Sequence, residues 1–193
     1  MSKTTRAAVF LGPGSPLELR EIPLPEPAGA CLLVEVLACT LCGSDLHTMH
    51  GRRPVAVPTI LGHEALGRVA GFGPDAPRRD AADRPLQAGD RVTWGVVASC
   101  GACFYCRRGL PQKCERQTKY GHEPLRPGSE LTGGLAGHIL LASGTTVLRV
   151  PDELTDAAAC PPTAPPRPSP PRWRRPARST AVASWSWAAG CSG

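Results

Sequence analysis

Short apolar segments separated by Gly and Pro run along residues 1–160 and predict a mainly β fold. Each segment is rich in β-branched and aliphatic residues and is too short for a typical helix. The segments are RAAVFL (6–11), PLELREI (16–22), CLLVEVLAC (31–39), ALGRVAGF (65–72), DRVTW (90–94), LAGHILLA (135–142) and TTVLRV (145–150). Several strands at this spacing are typical of a barrel or a sandwich.

One segment, GSDLHTMHG (43–51), favours a short helix instead. Ser44 or Asp45 would cap its N-terminus, because their side-chain oxygens accept hydrogen bonds from the first free backbone N–H groups. No repeat of the solenoid kind interrupts the pattern. The sequence therefore predicts one β domain whose best helical candidate is the short segment 43–51.

The positive charge of the chain is concentrated in its last residues, and this changes what the net charge indicates about a nucleic-acid partner. The net charge of +6 over 193 residues is of the kind that nucleic-acid-binding proteins carry. Residues 161–193 contain five Arg and no acidic residue, whereas residues 1–160 contain 17 basic and 16 acidic groups, a net charge of +1. The body of the chain therefore gives no support for a nucleic-acid partner.

The composition changes near Cys160. Residues 161–193 hold eight of the 22 Pro and three of the four Trp, and they lack a periodic apolar face. Such a segment is expected to be disordered. A Pro-rich or Arg-rich binding arm is the alternative. We predict a folded domain over residues 1–160 and a disordered tail over residues 161–193.

The cysteines and the N-terminus bear on the compartment. No run of eighteen apolar residues occurs, and the opening MSKTTRAAVF lacks the apolar core of a signal peptide, so we expect a soluble cytoplasmic protein without a membrane partner. Nine Cys are present, an odd number that argues against a disulfide framework in such a compartment. Metal binding is the leading use for them.

Four cysteines share one short stretch with the spacing C-x2-C-x2-C-x7-C: Cys100, Cys103, Cys106 and Cys114. Four thiolates at this spacing can surround one ion tetrahedrally, and zinc is the natural occupant. Because no position is left for water, such a site is closed and structural. An iron–sulfur cluster, disulfides or chance spacing are the alternatives. Arg107, Arg108 and Lys113 would offset the negative charge of the thiolates.

A second candidate metal site is spread along the chain and consists of Cys42, His63 and Glu64. A soft, a borderline and a hard ligand together are the mixture expected of a zinc site that exchanges water or substrate. Taken alone, a single Cys and an adjacent His-Glu pair are more often packed or solvated residues than ligands. These residues alone therefore leave open whether they bind a metal or are ordinary packed or solvated side chains.

Several motifs together resemble one family. They are CGSDLH (42–47), GHEALGRVAGFG (62–73), GDRV (89–92), the four-Cys stretch, GGLAGH (133–138) and VPDEL (150–154). In order and spacing they resemble the zinc-dependent medium-chain alcohol dehydrogenases over about residues 6–160. TLCGSDLHT with CGACFYCRRGLPQKCE is most similar to a subgroup named for its association with phosphonate catabolism.

The resemblance implies a fold and an activity. It implies a GroES-like β-barrel catalytic domain with a zinc-binding lobe, followed in a complete enzyme by a Rossmann domain that binds NAD or NADP. Such enzymes are homo-oligomers and interconvert small-molecule alcohols with aldehydes or ketones by hydride transfer.

The resemblance also implies residue roles around a catalytic zinc. Cys42 and His63 match the zinc ligands, and Glu64 matches a carboxylate beside the metal that can coordinate it during ligand exchange. Asp45 matches the carboxylate that orients the ligating His.

Two further residues match a proton path. Ser44 matches the hydroxyl that takes the alcohol proton, and His47 matches the group that relays it to solvent. Taken alone, Ser44 is equally well explained as a helix cap. His50 and His122 match no ligand position and are interpreted as surface residues, while His138 is expected in a strand.

Two features of the family are missing after VPDEL: the remaining catalytic zinc ligand and a glycine turn for the dinucleotide. Cys160 follows, but its context does not match that of the family ligand. If each codon is taken one base earlier, SWSWAAGCSG (184–193) permits LVVGxGMLG, and PPTAPPRPSPP (161–171) permits PANCATATVAA with a Cys at the ligand position. We expect a net loss of one base or gain of two near codons 157–161, which would leave residues 161–193 out of frame and the Rossmann domain absent. An in-frame gene sequence with no second frame downstream would contradict this.

Two functional classes follow from the sequence. The first is a zinc-dependent, NAD(P)-linked alcohol dehydrogenase, present here in a truncated form with little activity. The second is a non-catalytic zinc-binding domain whose basic tail makes interactions.

Overall fold

The computed structural model describes residues 3–160. Disorder and an out-of-frame origin, with a binding arm as the alternative, were predicted for residues 161–193, which lie outside the described residues. The strands are β1 Thr4–Phe10, β2 Glu18–Pro23, β3 Leu32–Thr40, β4 Thr59–Ile60, β5 Glu64–Phe72, β6 Arg91–Ala98, β7 Thr118–Lys119, β8 His138–Leu141 and β9 Thr145–Arg149. The helices are α1 Gly43–Met49 and α2 Asp156–Ala159. The prediction of a mainly β fold is therefore confirmed.

The strands form two antiparallel sheets. A three-stranded sheet has the order β2-β1-β4, and a larger sheet has the order β7-β6-β5-β3-β8, with β9 paired to β6. Strand β3 has register irregularities after Leu33 and Val36 where it pairs with β5. Such irregularities bend a strand and increase its twist. The longest pairing, between β3 and β5, runs to Thr40 and Glu64, and this end of the sheet positions the candidate site.

Each of the seven predicted strands overlaps an observed one, and the differences have local causes. Strands β4 and β7 have two residues each, too few to produce a recognisable alternation. Helix α1 begins at Gly43 with Cys42 as its N-cap, so the prediction of Ser44 or Asp45 as the cap was wrong. Asp45 still serves the helix start, because its carboxylate accepts the backbone N–H of Cys42 at 2.9 Å from inside the first turn.

The apolar core lies on the inner faces of both sheets. The main cluster is built around Val34 of β3, Val69 of β5, Val92 of β6 and Ile139 of β8, all of them almost completely buried. A second cluster joins the small sheet to Leu131 through Val9 and other apolar residues of β1, β2 and β4. Burial of these apolar residues between the sheets and the loops that cover them therefore accounts for the fold through ordinary apolar packing.

A buried carboxylate joins the loop between β5 and β6 to strand β9. Asp80 accepts the backbone N–H groups of Ala82, Arg84 and Arg149, each at 2.9 Å, and pairs with the Arg84 guanidinium. Burial alone would raise the pKa of Asp80, but the Arg84 side chain and the three N–H groups outweigh it and hold that pKa well below its usual range.

Among residues 3–160, no helix has the length and apolar character to cross a bilayer.

Candidate functional site

The pairing of β3 with β5 brings together residues that are distant in sequence. Thr40 is paired with Glu64 at the end of the ladder, so Cys42, two residues beyond β3, reaches the start of β5 where His63 lies. The Cys42 sulfur, a His63 ring nitrogen and a Glu64 carboxylate oxygen lie within 4.8 Å of one another. The Thr40 hydroxyl donates to the Glu64 carboxylate at 3.2 Å and restricts its rotation.

Asp45 connects the three segments of this cluster. Its carboxylate, 1% exposed, accepts the N–H of Cys42 at 2.9 Å and that of Gly62 at 3.3 Å. Its Oδ1 also lies 3.3 Å from Nδ1 of His63. This contact falls short of an aligned hydrogen bond, because Nδ1 has no partner of good angular geometry within residues 3–160.

The electrostatics of the cluster follow from these contacts. Burial would raise the pKa of Asp45, but His63 and the two backbone N–H groups together lower it. Asp45 in turn raises the pKa of His63. The backbone N–H of Ser44, followed by the Ser44 side chain, lowers the pKa of the Cys42 thiol. The lower pKa favours the thiolate that a metal requires.

The donor set suits zinc. Ligand atoms about 2.0–2.3 Å from a tetrahedral zinc are about 3.3–3.8 Å apart, which the separations of Cys42, His63 and Glu64 can accommodate. The Nδ1 of His63, buried and without an aligned partner, faces Asp45, as in the carboxylate–histidine–zinc arrangement. Sulfur, nitrogen and oxygen donors with a buried carboxylate behind the imidazole therefore fit a zinc ion.

Ser44 and His47 lie on α1 beside the cluster. The Ser44 hydroxyl is half-buried, with Oγ 3.4 Å from Nε2 of His63. His47 follows three residues later and is exposed, and within the described residues its ring has no hydrogen bond to Ser44. The arrangement places a hydroxyl at the cluster and an imidazole toward solvent, while the relay between them stays a prediction.

The four-Cys stretch forms a lobe, residues 99–117, between β6 and β7. Its four sulfur atoms lie within 4.8 Å of one another, and the thiols are free. The Cys114 sulfur accepts backbone N–H groups from Cys100 at 3.3 Å and Arg116 at 3.4 Å. Hydrogen bonds from the backbone of Ala102 and Cys103 lower the pKa of Cys100 to about 6. The lobe therefore gathers four thiols without disulfides, and its donor set fits a closed zinc site.

The charge around the lobe differs from the sequence prediction. Arg108, expected to offset the thiolates, lies over the ring of Phe104 at 3.6 Å from its centroid. Arg116, which the sequence analysis missed, is a cation close to the sulfurs, and its interaction with Cys100 is the main cause that raises its pKa. Its position two residues after the last cysteine of the lobe was the only sequence signal for this role.

His122 is the second residue that the sequence analysis missed. Its ring packs against that of His63, with centroids 5.4 Å apart and planes at 48°. Its interpretation as a surface residue was therefore wrong. Burial, followed by the positive charges of Arg53 and Lys119, lowers the pKa of His122. The residue lies 59 positions after His63, and the sequence gives no sign of this contact.

The remaining histidines and Cys160 lie outside the cluster. His50 is exposed at the end of α1, as expected, and His138 begins β8, as predicted. Cys160 is buried against Leu66 and Val150 and does not join either metal-binding group of residues 3–160.

Comparisons with known proteins bear on the family and the fold. The family described as "Alcohol dehydrogenase GroES-like domain" matches residues 29–152, more than half of the chain. The zinc-type alcohol dehydrogenase B of Aspergillus flavus is 33% identical over 149 residues, which are 76% of this chain and 32% of that protein. A crystal structure of an alcohol dehydrogenase from Thermotoga maritima superposes with a TM-score of 0.73 at 32% identity, covering 81% of this chain and 44% of the other.

A third similar protein is a putative zinc-binding dehydrogenase from Sinorhizobium meliloti, solved bound to NADP, with a TM-score of 0.65 and 29% identity over 81% of this chain and 42% of that one. The chain thus spans less than half the length of each of these proteins.

Fold and site together define a GroES-like β domain with two groups of metal-ligand side chains, and the predicted fold class is confirmed. The chain belongs to the zinc-dependent medium-chain alcohol dehydrogenase family. The phosphonate-associated subgroup stays a prediction.

Proposed function

We propose that this chain supplies the zinc-binding catalytic domain of an NAD(P)-linked alcohol dehydrogenase. The observation that carries the proposal is the convergence of Cys42, His63 and Glu64 within 4.8 Å, with the buried carboxylate of Asp45 behind the imidazole. The relative from Aspergillus flavus is named a zinc-type alcohol dehydrogenase, which supports zinc as the metal.

Cys42 and His63 would hold the zinc, and Glu64 would lie beside it. When bound, zinc polarises the oxygen of an alcohol or carbonyl substrate and lowers the pKa of the alcohol. The Asp45 carboxylate, 3.3 Å from Nδ1 of His63, would favour a proton on Nδ1 and leave the Nε2 lone pair free to ligate. The charge of Asp45 also keeps the imidazole in this orientation.

The proton path uses α1. The Ser44 hydroxyl lies at the cluster, where it would accept the proton of the substrate hydroxyl while its own proton passes on toward His47 and solvent. Hydride would go to a nicotinamide cofactor, and the NADP-bound structure from Sinorhizobium meliloti supports a cofactor of this type. As predicted from the sequence, we expect little turnover from this chain alone.

The lobe of Cys100, Cys103, Cys106 and Cys114 would hold a second, structural zinc. Four thiolates leave no position for water or substrate, so this ion would stabilise the lobe without taking part in the reaction. We also propose small alcohols, aldehydes or ketones as substrates and a homo-oligomeric complete enzyme. The cytoplasmic location and the absence of nucleic-acid and membrane partners stay predictions from the sequence.

Metal analysis of the full chain and two variants tests the proposal. We expect purified protein to retain about one zinc, held by the lobe, and to take up a second metal at the Cys42 cluster. The Cys42→Ser variant should keep the retained zinc. Cobalt added to this variant should lack the thiolate charge-transfer band that cobalt shows at the second site of the wild-type chain. In Cys103→Ser the retained zinc should disappear.

An assay of NAD(P)-linked alcohol oxidation accompanies these measurements. Robust turnover by this chain would contradict its dependence on a further domain. If Cys42→Ser and the wild-type chain bind cobalt identically, the assignment of the catalytic site is wrong. The alternative, a non-catalytic zinc-binding domain, is then favoured.

A further inference from the structure

The carboxylate of Glu64 is held at the candidate site by a neutral hydroxyl. Thr40 and Glu64 are paired directly across β3 and β5, so the strand ladder fixes the separation of their backbones. Oγ1 of Thr40 lies 3.2 Å from Oε2 of Glu64 and 3.4 Å from its backbone carbonyl oxygen. A carboxylate and a carbonyl oxygen only accept, so the Thr40 hydroxyl donates, and its single proton is shared between the two oxygens. Both residues are half-buried.

This hydrogen bond orients the Glu64 carboxylate beside the cluster. Among residues 3–160, no salt bridge involves Glu64. A carboxylate oxygen of Glu64 lies within 4.8 Å of the Cys42 sulfur and of a His63 ring nitrogen while Oε2 is engaged by Thr40. A donor fixed on the neighbouring strand restricts the directions in which Oε2 can turn. The two oxygens of Glu64 therefore cannot both turn freely toward an ion at the cluster.

We propose that Thr40 is a positioning residue that limits Glu64 to a one-oxygen contact with the metal, so that an incoming ligand can displace the carboxylate. The proposal rests on the function proposed above, since Cys42 and His63 must hold the ion. A zinc site that turns over has to keep one position that water or substrate can enter. A carboxylate free to use both oxygens would compete more strongly for that position than one restrained by Thr40.

A purely structural role for Thr40 is the competing explanation. Its hydroxyl also reaches the backbone carbonyl oxygen of Glu64, a contact that closes the end of the β3–β5 ladder. That role would be the same whether or not residue 64 carried a carboxylate. Dependence on the Glu64 side chain therefore separates a positioning residue from a structural one.

The test uses the full chain with zinc in the four-Cys lobe and cobalt at the Cys42 cluster. Imidazole serves as the incoming ligand, and the visible spectrum of cobalt reports its binding. Thr40→Val removes the hydroxyl but keeps a β-branched side chain suited to a strand. We expect the affinity for imidazole to fall about three- to tenfold, the usual effect of one hydrogen bond, because the released carboxylate competes more strongly. Thr40→Ala should give a similar loss, and Thr40→Ser, which keeps the hydroxyl, should behave as wild type.

Glu64→Ala supplies a second background in which no carboxylate competes with imidazole. In that background Thr40→Val should change imidazole affinity by less than about twofold, because the hydroxyl acts through Glu64. An equal loss in both backgrounds would show a structural role and overturn the proposal. Tighter imidazole binding in Thr40→Val than in wild type would also overturn it.

Two outcomes separate this inference from the proposed function. If cobalt binds the wild-type chain and Cys42→Ser identically, the proposed function has failed and the role of Thr40 with it. If cobalt binds the cluster as proposed and imidazole affinity is the same in wild type and Thr40→Val, only the role of Thr40 has failed.

Discussion

The backbones of Gly62 and Gly121 meet so closely that a side chain at position 121 would lie 2.8 Å from the Gly62 carbonyl oxygen. The contact joins the turn before β5 to the segment after β7, close to the isolated β-bridge between Thr59 and Pro124. It lies directly before both His63 and His122, and it therefore determines how these rings face one another.

Replacing Gly121 by Ala should lower the free energy of unfolding by about 2–4 kcal/mol, because a positive φ and a backbone clash are both imposed. Gly109 is a matched control, since its φ of +72° is nearly the same but nothing lies within 4 Å of its added Cβ. Gly109→Ala should cost only about 1 kcal/mol, from backbone strain alone. Urea denaturation of both variants measures the difference, and equal losses would show that the clash is relieved.

Replacing Asp45 by Asn should weaken metal binding at the Cys42 cluster by about 10- to 100-fold, because the carboxylate behind the ligating imidazole is lost. The zinc of the four-Cys lobe should be retained. Asp83→Asn removes a carboxylate whose side chain is 86% exposed and serves as the control. Cobalt titration reports the affinity, and a change confined to the lobe would contradict the assigned role.

Asp80 predicts an acid-sensitive contribution to stability. Because the folded-state pKa of Asp80 is depressed, its contribution is fully present above the unfolded value of about 3.9 and is lost as pH falls through the lower folded value. Asp80→Asn should therefore destabilise the domain at pH 7 by about 2–4 kcal/mol, through lost charge-assisted hydrogen bonds. The difference from wild type should shrink below pH 4. Urea denaturation across this pH range measures the stability difference between the two proteins. A difference that grew as the pH fell would contradict the predicted pH dependence.

Replacing Cys103 by Ser should release the tightly held zinc and unfold the lobe locally, since Cys103 and Cys114 are its only buried residues. Cys31→Ser alters a cysteine outside both metal-binding groups and should leave the zinc content unchanged. Metal analysis with amide hydrogen exchange distinguishes the two. Loss of protection throughout β3 and β5 would show that the lobe supports the whole sheet instead.

Local patterns were sufficient for much of the fold. Strands β1 and β6 begin with buried residues that alternate with exposed or half-buried ones, and the four-Cys spacing lies within one loop, so both are visible in a short window. The Cys42 cluster was predicted by resemblance to a family, because its members come from separate segments. The contact of His122 with His63 was missed because it depends on tertiary structure, through the close approach of two glycines. The cap at Cys42 was missed for a local reason, because Cys is not a favoured capping residue.

The lobe of residues 99–117 leaves the sheet at Ala98 and returns at Thr118, and these two residues are direct partners across β6 and β7. Its entry and exit are therefore adjacent, and its own packing depends on four sulfur atoms and hardly at all on the apolar core. A tight turn could join the same two strands without moving either of them. We therefore expect the lobe to be an exchangeable module, whose deletion or replacement by another metal-binding loop leaves the geometry of the sheet and of the candidate site unchanged.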